Sequence, residues 1–202
     1  MMNNKIPEQI EGGFSDNVSE VEFETVAEAA FHFDKVRKRL FDINSWYFFA
    51  EKTGAEFSLC DNNGKVIFKQ PIVNNYIKIK LPLLYNPTGN TFDWVRIELI
   101  EEEQFADGEL VYMKLRPSED PDKKDGKISH FFRDNATSNV LIKRDGNKTT
   151  AEVHGRNEIP NTEHLTLLEK ARNIAVSVNA IILGSKFEWK TLTEALIKND
   201  EK

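Results

Sequence analysis

The chain is poor in the features that usually announce a chemistry. Among its 202 residues there is one cysteine, Cys60, so neither an internal disulfide framework nor a cysteine-built zinc site can form. The histidines His32, His130, His154 and His164 never fall at His-x-His or His-Glu-x-x-His spacing, which leaves no local metal signature. There is no glycine-rich phosphate loop; Gly12-Gly13 stands alone near the N-terminus. Positive charge is in deficit as well. Lysine and arginine number 27 against 33 aspartates and glutamates, a net charge of −6. A nucleic-acid binder needs a basic face to neutralise phosphates, so no nucleic-acid partner is expected. No run approaches the about 18 apolar residues that span a bilayer, so no membrane insertion is expected. Met1 to Gly13 lacks the apolar core of a signal peptide. With the single cysteine, this sets the expectation of a cytoplasmic protein.

What is present is periodic. Residues 1–17 are polar and glycine-containing, and read as a flexible tail ahead of a single domain over 18–202. From Val26, apolar residues recur at three- and four-residue steps through Phe33, Val36, Leu40 and Ile43, the pattern of an amphipathic helix. Asn44-Ser45 breaks it, and the aromatic run Trp46-Tyr47-Phe48-Phe49 reads as a second, short helix that Ser45 would cap and Gly54 would end. The middle of the chain then alternates with period two. Ala55 to Cys60 and Lys65 to Lys69 flank an Asp-Asn-Asn-Gly turn, and Tyr76 to Leu81 follows. Phe92 to Ile100 puts Val95, Ile97 and Leu99 on one face and Trp94, Arg96 and Glu98 on the other; Leu110 to Leu115 shares Val111, Met113 and Leu115. A last hairpin turns at Asp145-Gly146. Short connections predict antiparallel pairing between sequence neighbours. From Asn161, the stripe Leu167, Leu168, Ala171, Ile174, Val178 and Ile181 predicts a long helix, which Trp189, Leu192, Leu196 and Ile197 extend. The fold class expected is α+β: a curved antiparallel sheet of about six to seven strands gripping a long C-terminal helix, with a shorter N-terminal helical segment.

This element order, with the Phe41-Asp42-Ile43-Asn44-Ser45-Trp46 stretch at the end of the first helix, resembles the helix-grip fold of the START-like and pollen-allergen-like superfamily, which also includes polyketide cyclases. The resemblance runs from about Val18 to Ile197. It implies a sheet wrapped around the last helix with a cavity between them, and no shared catalytic motif to carry over. The chain departs from that pattern in its polar tail and its Ser118 to Gly126 loop.

The chemistry-bearing candidates are mostly better explained without chemistry. Cys60, with no base beside it in sequence, reads as a small packing residue. Glu101-Glu102-Glu103 cannot converge on one cation, because successive strand residues point to opposite faces. His130 and His154 read as exposed or hydrogen-bonded strand residues. The expectation is therefore noncatalytic binding of a small apolar or amphipathic ligand. Its candidate site is Tyr76, Val95, Ile97, Tyr112, Met113, Ile174, Val178 and Ile181, without cofactor or metal. Two alternatives stand beside it. One is an interaction module with a filled core, a homodimer in its simplest form. The other is a cyclase-like enzyme with Tyr112, Arg96 and His130 as a polar cluster.

Overall fold

A computed structural model describes residues 5–51, 55–80, 92–123, 126–161 and 189–199. Ile174, Val178 and Ile181, with Gly184 and the rest of the expected last helix over 162–188, and Gly54, lie outside the described residues.

Seven strands form one antiparallel sheet: β1 (Gly13–Glu22), β2 (Glu56–Cys60), β3 (Tyr76–Lys80), β4 (Asp93–Phe105), β5 (Gly108–Pro117), β6 (Thr137–Asp145) and β7 (Lys148–Glu158). Their order across the sheet is β1-β7-β6-β5-β4-β3-β2. Between β1 and β2 come helix α1 (Val26–Phe41), a 3₁₀ turn (Ile43–Ser45) and the short α2 (Trp46–Phe49), and residues 189–197 are helical at the other end of the chain. This α+β arrangement is that of the helix-grip fold.

Helix α1 begins at Val26, where the periodicity places it. Thr25 caps it: its hydroxyl accepts from the Glu28 backbone N–H, and the Glu28 carboxylate accepts from the Thr25 N–H. One face buries Ala29, His32, Phe33, Val36, Leu40 and Phe41 against β6 and β7. Trp46 is fully buried at the far end, and its indole N–H is shared between the carbonyls of Arg39 and Leu40, closing off the last turn of α1.

Four expectations are corrected. First, the tail is not all tail. Gly13 to Glu22 is a strand paired with β7, and the chain ahead of it is also tied down. Asn157 Oδ1 accepts from the N–H groups of Ile10 and Glu11, while Lys5 bridges Glu101 and Glu103. Second, Lys65 to Lys69 is not a strand. The Asp61 to Gly64 turn forms, but the return makes a single bridge, Val66 opposite Cys60, with the Asp61 N–H on the Lys65 carbonyl and the Ile67 N–H on the Leu59 carbonyl. Asn44 ends it there: its amide donates to Ile67 O at 2.9 Å and accepts from Leu59 N–H at 2.9 Å, occupying the next ladder positions. Third, the β4–β5 register slips between Ile97 and Leu99, so Val95 and Ile97 face the main core while Leu99 turns to the opposite face. Fourth, Ser45 precedes α2 without any side-chain cap bond.

Candidate functional site

The two faces of the sheet differ in kind. The inner face presents Leu59, Ile77, Val95, Ile97, Val111, Met113, Leu115, Val140, Ile142, Ala151 and Val153 in one apolar cluster that includes the buried residues of α1 and Trp189, Leu192, Leu196 and Ile197. Its curvature follows from two contacts. Across a flat sheet, β1 and β2 at opposite edges would stand about 29 Å apart. Yet Ser19 of β1 is hydrogen-bonded to Thr193 at 2.9 Å, and the ring of Phe57 on β2 lies 6.3 Å from that of Trp189. Thr193 and Trp189 are one helical turn apart, about 6 Å. Both edges of the sheet therefore close on the same turn of helix.

That turn is also held from behind. Arg39 of α1 donates to the carbonyls of Leu196 (3.1 Å) and Lys198 (2.6 Å), satisfying orphan acceptors at the end of the helix. His32 Nε2 meets the Ile197 carbonyl at 3.0 Å, and Lys198 pairs with Glu51 at 2.5 Å.

The inner face is not wholly apolar. Along β1, Ser15, Asn17, Ser19 and Val21 share it, opposite Val153 and Ala151 of β7. Ser15 donates to Glu158 at 2.9 Å, and Gly155 makes room for that pair, since a Cβ there would collide with both side chains. Asn17 Nδ2 and Thr149 Oγ1 are buried with no hydrogen-bond partner among the described residues. Buried polar groups are normally satisfied, so two orphans on one edge of an apolar face stand out.

The structure thus divides the sequence-derived site. Val95, Ile97 and Met113 stand together on the inner face, whereas Tyr76 and Tyr112 point away from it. Tyr112 donates to Asn139 Oδ1 at 2.7 Å within a second cluster with Leu110 and Leu141; burial pushes its pKa up to about 12. Ile6, from the N-terminal segment, packs on that cluster. The two-faced pattern of β4 and β5 therefore reflects a sheet covered on both sides.

No family model matches the sequence, and neither does any curated protein sequence. Among solved structures, a hypothetical protein from Helicobacter pylori is similar at a TM-score of 0.48 and 15% identity, over 92% of this chain and 86% of that one. Ginseng major latex-like protein 151 from Panax ginseng is similar at a TM-score of 0.37 and 13% identity, over 87% of this chain and 99% of that one. A protein from Staphylococcus epidermidis is similar at a TM-score of 0.34 and 9% identity, over 96% of this chain and 98% of that one.

The outer face carries charge. His154 lies between Glu152 (2.9 Å) and Asp16 (2.5 Å), and Arg156 meets Asp16 at 2.7 Å. Burial opposes a charge on His154, but the two carboxylates outweigh it and hold its pKa above the ordinary value. Asp16 and Glu152 are correspondingly held below theirs against the pull of burial. Glu98 gathers Arg96, Lys114 and Arg116. Arg96 and Tyr112 are not brought together: Arg96 stands opposite Arg116, four residues from Tyr112 along β5 and so about 13 Å away. His130 sits in a loop, not a strand, where its Nδ1 accepts from the Phe132 N–H, and burial pulls its pKa down to about 3. Cys60 is buried, and burial raises its pKa.

Sequence reasoning missed Asn17, Thr149 and the Ser19–Thr193 contact. The signal was a period-two alternation from Ser15 to Val21, obscured by polar residues typical of a tail.

Proposed function

We propose that this protein is a noncatalytic carrier that holds a small apolar or amphipathic molecule against the inner face of its sheet, as a ligand-binding branch of the helix-grip fold. The carrying observation is the closure of both sheet edges on one helical turn over a continuous apolar face. Val95, Ile97 and Met113 would line the ligand from the sheet. Asn17 and Thr149, whose buried polar atoms lack partners among the described residues, would orient its polar end; a ligand site needs only a few such groups. Ile174, Val178 and Ile181 are proposed as its opposite wall on their helical spacing alone. The histidine–carboxylate groups of the outer face are consumed in mutual pairing, which favours binding over catalysis.

The test is native mass spectrometry of the protein mixed with a lipid extract, paired with titration of a fluorescent fatty-acid probe. Saturable binding of one probe per chain, weakened by Asn17→Leu, is expected. A chain that takes up no mass and gives no saturable signal would overturn the reading.

A further inference from the structure

The loop between β2 and β3 presents apolar side chains that the fold does not use. Phe68 is 84% exposed, Ile72 63% and Val73 41%. Scattered exposed apolar residues are ordinary; three within six residues of one loop are not. Nor is the loop a loose excursion. It is fixed at its start by Ile67 N–H on the Leu59 carbonyl and by Asn44 on the Ile67 carbonyl. Its middle is seated by the buried Pro71. At its end, the Asn74 N–H donates to the Ile97 carbonyl, and the Ile97 N–H to that of Asn75. The frame holds Phe68 and Ile72 out in water, at a hydration cost that only a partner can recover.

Charge identifies the partner. From Lys65 to Val73 the chain carries two lysines and no acid, on a protein whose net charge is −6. Behind Phe68 a cleft of about 420 Å³ is lined by Arg37, Lys38, Phe41, Phe68, Lys69 and Gln70, with Asp42 its one carboxylate. Arg37 is committed to Glu102 and lies over the Phe41 ring, whereas Lys38 and Lys69 are exposed and form no ion pair among the described residues. Apolar tips beside free ammonium groups match a bilayer surface, with acyl chains below and headgroup phosphates at the level of the cleft. Charges more than a Debye length of about 8 Å from the contact are screened, and Glu102, beside the cleft, is neutralised by Arg37.

We infer that this loop docks on an anionic lipid surface: Phe68 and Ile72 enter the interface, and a lipid phosphate sits between Lys38 and Lys69. The association is peripheral and reversible, with nothing crossing the bilayer. It is independent of whether the sheet encloses a ligand.

Vesicle co-sedimentation of the full chain tests it, comparing phosphatidylcholine vesicles with vesicles containing roughly a third phosphatidylserine. The wild type is expected to sediment with the anionic vesicles and to lose binding as salt is raised. Phe68→Ser with Ile72→Ser should weaken it by about tenfold or more. Lys38→Gln with Lys69→Gln should weaken it by roughly tenfold or more on anionic vesicles, and little on phosphatidylcholine. All four positions are exposed, so thermal melts should match the wild type and exclude misfolding. Four outcomes would overturn the inference. One is no sedimentation with anionic vesicles at low salt. Another is a Phe68/Ile72 variant that binds like wild type. The third is a Phe68-dependent dimer in ultracentrifugation without vesicle binding, which would assign the loop to a second copy of this chain. Inorganic phosphate that saturates the cleft without vesicles would likewise reduce it to a soluble-anion site.

Discussion

At the scale of single residues, the histidines make opposite demands on pH. His154 is held above the ordinary histidine pKa of about 6.5 by Glu152 and Asp16. Its contribution is fully present below that value and is lost as pH rises through the higher folded-state pKa. His130 is kept neutral down to about pH 3, so the unfolded chain takes up a proton that the folded chain refuses, and stability falls as pH drops below about 6.5. Unfolding free energy measured by denaturant titration should decline just above pH 6.5 in the wild type and stay flat there in His154→Gln. An unchanged slope would mean the carboxylate pairing carries no stability. Tyr112→Phe is a second residue-scale case. It would strand the buried Oδ1 of Asn139, and should cost about 1–3 kcal/mol in the same measurement.

At the scale of elements, what was legible in the sequence was what repeats. Helix α1 starts where its apolar steps start, and the buried Trp189, Leu192, Leu196 and Ile197 keep the helical spacing that singled them out. What escaped was what a single residue decides. One slipped position between Ile97 and Leu99 reversed the face of Leu99, and no composition rule marks that site. Asn44 stopped a hairpin ladder from 15 residues away, where the turn at Asp61 to Gly64 announced a full strand. Strand β1 was hidden because an edge strand with one polar stripe per face resembles a tail. Tyr76 and Tyr112 were assigned to the cavity because alternation gives parity and not which parity faces inward. Capping is testable at this scale: Thr25→Ala removes the hydroxyl half of the box at the head of α1, leaving only the backbone N–H of residue 25 on the Glu28 carboxylate, and should cost about 1 kcal/mol, read as a lower Tm.

At the scale of the molecule, the Ser19–Thr193 contact is where the sheet's edge strand meets the helix it encloses, across 174 residues of sequence. If a ligand must pass between sheet and helix, this contact lies on the rim that has to part. Replacing both residues by cysteine would place two thiols where the hydroxyl oxygens are now 2.9 Å apart, close enough for a disulfide to close. Cys60 is buried and would not compete. The cross-link should raise Tm whatever the function, because it ties a long loop in the unfolded chain and contributes about 2–4 kcal/mol. Its effect on probe exchange is the informative one. A carrier that opens at this rim should release a pre-bound fluorescent fatty acid much more slowly when oxidised, and at the wild-type rate after reduction. Equal release rates in the two states, with Tm raised by oxidation, would place the ligand's path elsewhere and leave the rim as a purely structural seam.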